Sequence, residues 1–151
     1  MKSIRTFSVN RKARFNYEIV ETFEAGLALL GTEIKAIREG RANIGESYAR
    51  PEAGEMWLLN AHISEYSAGG ISNHEPTRKR KLLLHKKQIS YLTAQVSEKG
   101  LTLVPLKLYL KGHNVKVQIG VAKGRKRYDK RKAIIDRERE REAGEAIKRL
   151  R

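Results

Sequence analysis

The chain has 151 residues and 40% apolar composition, with 32 Lys or Arg against 17 Asp or Glu, which gives a formal net charge of +15. This length suits one domain with a sizeable core. The absence of Cys excludes a disulfide scaffold, a thiol nucleophile and a thiolate zinc site, and it is typical of a reducing compartment.

The charge is segregated along the chain. Residues 1–14 hold five cations and no acid, residues 15–77 have a net charge of −6, and residues 78–151 have a net charge of +16. This distribution predicts a polyanionic partner, with nucleic acid as the first candidate and an anionic membrane as the second. A protein that is merely basic and soluble is the alternative. No apolar run could cross a membrane and no secretory signal is visible, so we expect a cytoplasmic protein.

The first half of the chain consists of short apolar patterns separated by turns. Apolar and polar residues alternate from Tyr17 to Phe23, which predicts a half-buried strand. A short helix follows, with Thr32 as its expected cap and Gly40 as its end. Residues 67–81 have few apolar positions, so we expect a mobile loop there. The other predicted elements are a strand at 44–48, a turn at 51–55 and a strand at 56–63.

The second half has a clearer periodicity. Apolar residues at i, i+3 and i+7 predict a helix that ends at Gly100, with one face formed by Ile89, Leu92 and Val96. Two strands follow, at 101–110 and 115–121, joined by a hairpin turn at 111–114. We expect a bulge at 104–105, because the apolar residues change face there.

These elements predict a mainly β fold. We expect a small barrel of the oligonucleotide-binding (OB-fold) kind with flanking short α-helices over residues 1–122, although pattern alone does not separate it from other small barrels. Residues 123–151 are expected to form a basic C-terminal tail, because no apolar residue occurs between Ile135 and Ala143. Opposite charges three residues apart favour a helix in this tail. We therefore expect it to be disordered when free and helical on a charged partner.

The sequence offers little for catalysis. Its four His residues are scattered, and Asp occurs only at Asp129 and Asp136. A metal site, a nucleophile with its base, or a clustered carboxylate site is hard to build from this set. We therefore expect no catalytic residues, no metal, no cofactor and no enzymatic activity.

Three basic segments are candidates for RNA contact. The first precedes the first predicted strand and consists of Asn10, Arg11 and Lys12. The second can cradle a phosphate backbone in the predicted loop and consists of Arg78, Lys79, Arg80 and Lys81. The third runs from Lys123 to Arg131, where Gly124 lets the backbone approach a phosphate and Tyr128 can stack on a base. Each segment has a plainer interpretation as a solvated arm, loop or tail.

Several single residues also have two interpretations. Glu24 is either a solvated strand position or a carboxylate that accepts a hydrogen bond from a base amino group. Without an RNA contact, Leu83 is interpreted as a core residue and His85 as a helix cap or surface residue. Trp57 and Tyr109 lie in strand patterns and are interpreted as core.

A series of motifs, in order, resembles one known family. They are Asn10-Arg11-Lys12-Ala13, Tyr17-Glu18-Ile19, Glu24 to Leu29, Gly31 to Lys35, Pro76 to Leu84, Leu108-Tyr109, Lys116 to Gly124 and Asp129-Lys130-Arg131. Over residues 10–131 the chain resembles the SsrA-binding protein family, SmpB. Several long motifs in one order are a more specific signal than any one of them.

The resemblance implies a fold and a function. The family has an OB-fold barrel with flanking helices and an unstructured basic C-terminal tail, and it is not an enzyme. It binds the tRNA-like domain of transfer-messenger RNA (tmRNA, or SsrA RNA). Together with elongation factor Tu it brings the alanine-charged RNA to stalled ribosomes, a process called trans-translation. The tail then enters the empty mRNA channel and the decoding centre of the small subunit, where it folds into a helix.

The resemblance also implies site residues. The RNA-binding patch consists of Asn10, Arg11, Lys12, Glu24, Leu83 and His85, although Asn is common in the family at the position of His85. A second patch faces RNA on the ribosomal side and consists of Tyr17, Lys123, Gly124 and Arg125. The tail positions at the decoding centre are Tyr128, Asp129, Lys130 and Arg131. The residues alone leave open a generic single-stranded RNA binder or another ribosome-associated factor of the same fold.

Overall fold

A computed structural model describes residues 4–68, 70, 73–124, 131, 134–135, 137–139 and 141. Within them the strands are β1 (Ile4–Val9), β2 (Tyr17–Leu27), β3 (Ala42–Asn43), β4 (Tyr48–Glu52), β5 (Glu55–Leu59), β6 (His62–Ile63), β7 (Arg80–Leu83), β8 (Thr102–Lys111) and β9 (Asn114–Gly124). The helices that separate these strands are α1 (Arg11–Asn16), α2 (Gly31–Arg38) and α3 (Lys86–Ser97).

Six of the strands form a closed circuit of antiparallel neighbours. The large sheet has the order β1-β8-β4-β5-β7-β2-β9, and β8 also pairs with β9, which closes the circuit. One edge of β8 is shared, because Leu103 pairs with Ala49 of β4 whereas residues 107–111 pair with β1. Strands β3 and β6 form a separate two-stranded sheet. The mainly β, OB-like fold predicted from the sequence is confirmed.

The interior of the circuit is filled from alternate positions of the long strands. Strand β9 buries Val115, Val117, Ile119 and Val121, and the polar residues between them face outward. The predicted hairpin between β8 and β9 is confirmed, since Lys111 pairs with Asn114 across a two-residue turn. The predicted bulge in β8 is also confirmed, because the register with β9 shifts between Pro105 and Lys107.

Two of the helices cover the barrel and were predicted. Helix α3 buries Ile89 and Leu92 and is followed by Gly100 at φ +65°, a left-handed conformation that glycine adopts without strain. Helix α2 buries Ala36 and Ile37 and is followed by Gly40 at φ +77°. Its predicted cap is wrong, because the helix begins at Gly31 and Thr32 lies inside it. The hydroxyl of Thr32 is instead 2.9 Å from Nδ1 of the buried His74.

Other elements differ from the predictions. The strand predicted at 44–48 is wrong, because residues 44–47 connect β3 to β4 and only Tyr48 belongs to a strand; Ile44 is buried in this connection. The strand predicted at 56–63 is interrupted at Asn60, which has φ +63°. The turn predicted at 51–55 is tighter, since only Ala53 and Gly54 leave the β4–β5 ladder. Strand β1 and helix α1 were not predicted, because β1 is an edge strand without regular alternation and α1 buries only Ala13.

Strand β9 runs to Gly124, two residues past the predicted end of the barrel domain at 122. Beyond Gly124 the described tail positions are helical and exposed, among them Arg131, Ile134 and Ile135. The division into barrel and tail, and the ordering of the tail on a partner, stay predictions. Across the described part of the chain, we find no helix with the length and apolar character of a membrane span.

Candidate nucleic-acid interface

A cleft of about 1070 Å³ opens between α3, the end of β7 and the outer faces of β2 and β9. Four residues that the sequence singles out for RNA contact line it together, namely Glu24, Lys81, Leu83 and His85. Strand pairing brings them close, because Gly26 of β2 lies opposite Leu83 of β7 on one side and Lys116 of β9 on the other. These residues, which are spread from Glu24 to Lys116 in the sequence, thus lie on one surface.

The cleft wall contains an exposed apolar side chain. Leu83 is 51% exposed, so its interpretation as a core residue is wrong. It is seated over Gly26, where an added Cβ would lie 3.2 Å from the Leu83 Cβ. Glycine therefore permits the close approach of the two strands. An exposed leucine beside cations offers the kind of apolar surface on which the face of a base can rest.

Glu24 is held as a carboxylate. Its Oε2 accepts a hydrogen bond from the Tyr109 hydroxyl, and Lys111 Nζ lies 3.3 Å from its Oε1. The Tyr109 hydrogen bond and the charge of Lys111 lower the pKa of Glu24 against the opposing effect of burial. Burial and the neighbouring carboxylate raise the pKa of Tyr109, so that its hydroxyl stays a donor. A carboxylate with acceptor capacity left over can bind a base amino group.

His85 is a helix cap and a surface residue, and it also lines the cleft. It is the N-cap residue of α3, where its backbone N–H donates to Gln88 Oε1 at 3.1 Å, and its exposed imidazole lines the cleft. Sequence reasoning missed Lys86 and Lys116, which also line the cleft. The signal for Lys116 was present, because the strict alternation of β9 places it on the outer face beside β2.

The basic segment Arg78–Lys81 is not a loop of four exposed cations. Arg80 begins β7 and is fully buried, and its Nε donates to Glu33 Oε2. Its other nitrogens donate to Ala61 O at 2.7 Å and to Pro76 O at 3.0 Å. Arg78 Nη2 donates to Glu33 Oε1 at 2.6 Å. The predicted phosphate contact of Arg80 is therefore wrong, since its guanidinium is enclosed by protein acceptors, and the guanidinium of Arg78 is engaged with the same carboxylate.

Glu33 is ionised although it is buried. Burial alone would raise the pKa of this carboxyl, but hydrogen bonds from Arg78, the Leu30 N–H and Arg80 outweigh that effect and hold the pKa below its usual value. Burial lowers the pKa of Arg80, and the Glu33 carboxylate opposes this change. The group is a buried ion cluster that requires every member to be satisfied.

Lys79 and Lys81 alternate with the two arginines and face outward. Lys79 Nζ lies 2.8 Å from Glu52 Oε2 and 4.3 Å from the centre of the Trp57 ring. Lys81 Nζ lies 3.3 Å from Glu55 Oε2. Exposed pairs of this kind contribute little to stability, so both lysines can exchange a carboxylate for a phosphate. Tyr109 is buried as predicted, whereas Trp57 is half-buried and not a core residue.

The N-terminal candidates do not line the cleft. Asn10 is only 7% exposed, and its Nδ2 donates to Pro105 O at 2.9 Å while its backbone N–H donates to Leu106 O at 2.9 Å. The predicted phosphate contact of Asn10 is wrong, because its side-chain amide holds the bulge of β8. Arg11 and Lys12 are exposed on α1, where Lys12 Nζ lies 3.3 Å from Glu46 Oε1.

The root of the tail lies at the other end of the barrel. Tyr17 pairs with Gly124, and Glu18 pairs with Lys123. Tyr17 is half-buried, whereas Lys123 and Gly124 are exposed. Tyr17 and Gly26 are nine positions apart on β2, which corresponds to about 30 Å along a strand. Arg131 is exposed in the tail, and Arg125, Tyr128, Asp129 and Lys130 lie outside the described residues.

Among the residues for which the structure gives positions, we find no cluster of three or more His, Asp or Glu side chains suited to a metal ion. In the described part of the chain, the cleft is lined by the exposed Leu83, by three lysines and by three glutamates, namely Lys81, Lys86, Lys116, Glu24, Glu55 and Glu98.

A family model and the similar sequences identify the same protein family. The model of the SmpB protein family matches residues 7–149. An SsrA-binding protein of Dehalococcoides mccartyi is 51% identical over 143 residues, which are 95% of this chain and 83% of the relative. An SsrA-binding protein of Thermosynechococcus vestitus is 54% identical over 147 residues, which are 97% of each chain.

A solved structure is similar as well. A chain in the structure described as "tmRNA-SmpB: a journey to the center of the bacterial ribosome" superposes with a TM-score of 0.66 and 48% sequence identity. The superposition covers 83% of this chain and 92% of the other. Because the sequence identity is 48%, the match indicates a common family as well as a common fold.

Proposed function

Because the chain belongs to the SmpB family of SsrA-binding proteins, we propose that it binds tmRNA and acts with it on stalled ribosomes in trans-translation. The RNA element bound is the tRNA-like domain. The role is one of binding and delivery, with no chemical step performed by the protein.

One observation carries the RNA-binding part of this proposal. Glu24, Leu83 and His85 come from three different elements, and the fold brings them to one cleft beside Lys81 and Lys116. The set combines a base-edge acceptor, an apolar contact and phosphate-binding cations. A surface built for electrostatic attraction alone would need neither the carboxylate nor the exposed leucine.

The remaining steps follow from the family resemblance. Alanine-charged tmRNA, elongation factor Tu and this protein reach the ribosome together in the bacterial cytoplasm. The tail, including Tyr128 and the Asp129-Lys130-Arg131 motif, occupies the empty mRNA channel and the decoding centre. Tyr17, Lys123, Gly124 and Arg125 face RNA on the ribosomal side. The exposed position of Lys123 and Gly124 at the tail root is compatible with that assignment.

A reconstituted translation reaction tests the proposed function. Ribosomes are stalled on an mRNA without a stop codon, and tmRNA, alanine and elongation factor Tu are added with or without this protein. We expect the tmRNA-encoded peptide to be attached to the stalled chain only when the protein is present. RNA binding without any tagging would instead indicate a generic RNA-binding factor with the same fold.

A further inference from the structure

The cleft depends on one very short strand. Strand β7 has four residues, of which two pair with β2 and three pair with β5. It follows residues 73–79, which form neither helix nor strand. Lys81 and Leu83 point outward into the cleft, whereas Arg80 and Leu82 point inward and are fully buried. A slip of one residue would exchange the two sets.

The apolar pattern of the sequence distinguishes the two registers by a single leucine. Residues 78–84 are Arg, Lys, Arg, Lys, Leu, Leu and Leu. In either register an inward leucine fills the core and an inward cation lies beside it, and the observed register also packs Leu84 against the core. A polar determinant that distinguishes arginine from lysine therefore adds to the preference for the observed register.

Glu33 of α2 provides a determinant that distinguishes arginine from lysine. The carboxylate accepts hydrogen bonds from Arg80 Nε, from Arg78 Nη2 at 2.6 Å and from the Leu30 N–H at 2.8 Å. Three separate nitrogens of Arg80 reach three different acceptors: Glu33, Ala61 O and Pro76 O. A slipped strand would place a lysine here, and its single nitrogen cannot reproduce this planar fork.

We propose that Glu33 is a positioning residue that fixes the register of β7 and thereby directs Lys81 and Leu83 into the RNA-binding cleft. Glu33 touches no ligand itself, since it is fully buried beneath the strand. The contacts above support the role of Glu33 in fixing the register, and the consequence for RNA binding rests on the proposed function.

Two variants and one control test the inference. Glu33→Gln removes the charge and keeps the shape of the side chain. Arg80→Lys keeps a cation beside Glu33 and removes the planar fork, so that a lysine lies inward in either register. Glu39→Gln is the matched control, because Glu39 follows the same helix and its carboxylate makes an exposed contact of 3.8 Å with Arg41.

The register is measured by NMR as cross-strand contacts between Gly26 and Leu83 and between Met56 and Leu82, which pair in the structure. We expect a single set of these contacts in the unchanged protein and in Glu39→Gln, and a second set or their loss in Arg80→Lys. Affinity for the tRNA-like domain of tmRNA should fall about tenfold in Arg80→Lys, the effect of losing a specific contact. The melting temperature of Arg80→Lys should fall less than that of Glu33→Gln, because the buried carboxylate keeps a cationic partner.

The outcomes separate the two proposals. Unchanged cross-strand contacts in Arg80→Lys overturn the inference about Glu33, and they do so even if Glu33→Gln fails to fold. Altered contacts together with unchanged RNA affinity support the register role and contradict the assignment of the cleft to RNA. Altered contacts with weakened RNA binding support both.

Discussion

Two glutamates on β2 accept a hydrogen bond from a tyrosine hydroxyl, and only one of them lines the cleft. Glu24 accepts from Tyr109 and faces the cleft, whereas Glu21 Oε2 accepts from Tyr91 at 2.6 Å elsewhere on the strand. The two glutamates have the same charge and the same kind of partner. Substitutions at Glu24 and Glu21 therefore distinguish the proposed role in RNA recognition from a role in local structure.

We expect Glu24→Gln to weaken binding of the tRNA-like domain about tenfold, because the base-edge acceptor loses its charge. Glu21→Gln should leave the affinity unchanged. Both variants are measured by fluorescence anisotropy against one labelled RNA, with melting temperatures recorded alongside. Equal effects of the two substitutions on affinity would remove Glu24 from the recognition surface.

The Glu33 carboxylate makes the stability of the protein depend on acid pH. Because the folded-state pKa of Glu33 lies below the unfolded value of about 4.3, the stabilisation is fully present above that pH and is lost as the pH falls through the folded pKa. Glu33→Gln should lower the free energy of unfolding at pH 7 by about 3–5 kcal/mol, the cost of breaking a buried pair. It should also flatten the loss of stability on acidification.

Urea titrations of the unchanged protein and of Glu33→Gln, between pH 7 and pH 3, measure this free energy. If the free energy of unfolding depends on pH in the same way in both proteins, the arginines do not lower the pKa of Glu33. Glu55→Gln is the matched control, since its carboxylate makes an exposed contact with Lys81 at 3.3 Å.

The contact between Arg80 and Glu33 also explains why the prediction of a basic loop at Arg78–Lys81 was wrong. Four consecutive cations predict a solvated loop, because buried charges are rare and need a partner. The partner, Glu33, lies 47 residues from Arg80 in the sequence. Nothing local in the chain indicates that contact. By contrast, Glu24 and His85 could be assigned to the interface from the family resemblance, and the fold brings them into one cleft.

At the scale of secondary structure, the crossing of β2 and β7 controls the shape of the cleft. A Cβ at Gly26 would lie 3.2 Å from Leu83 Cβ and 3.4 Å from its Cδ1. We expect Gly26→Ala to displace Leu83 by a few tenths of an ångström. Since Leu83 is exposed and can move, the free energy of unfolding should fall by less than about 1 kcal/mol, while RNA affinity falls several-fold.

Gly31→Ala is the control for this substitution, because nothing lies within 4 Å of an added Cβ at that position. Melting curves and RNA titrations of the two variants are compared directly. If Gly26→Ala binds RNA as well as Gly31→Ala does, the position of Leu83 has no influence on recognition.

The elements that could be predicted are those with a sustained period. Strand β2, helix α3 and the β8–β9 hairpin each repeat their apolar positions over several turns or residue pairs, so their type and approximate bounds were correct. Strands β3 and β6 have two residues each, which is too short for any period to appear. Helix α1 has six residues and buries only Ala13, which packs with Val104, Leu106 and Ala122, so no helical period is visible in its sequence.

At the scale of the whole molecule, the two ends of the barrel have different functions in this proposal. The cleft lies near Gly26 and Lys116, and the tail begins beside Tyr17, nine positions or about 30 Å of strand length away along β2. One RNA partner can therefore occupy the cleft while the tail enters a separate site. The predicted strand at 115–121 already indicates this separation, because the eight positions from Lys116 to Gly124 span about 26 Å when extended.

We expect truncation after Arg127 to leave affinity for the tRNA-like domain within about threefold, because the cleft and the cations at the tail root are retained. The same truncation should abolish peptide tagging in the reconstituted reaction. Tyr128→Ala in the full chain is the companion variant, which removes one aromatic side chain without removing charge. Tagging at the full rate by the truncated protein would exclude the tail from the mechanism.

We propose that this protein recognises tmRNA and does not simply attract polyanions. The most direct measurement is the equilibrium affinity for the tRNA-like domain of tmRNA, alanine tRNA and poly-U in about 0.15 M salt, where exposed charges are screened beyond roughly 8 Å. We expect clear preference for the tRNA-like domain, with Glu24→Gln reducing that preference. Equal affinity for all three RNAs would contradict the claim and leave a basic barrel protein whose RNA partner is another molecule.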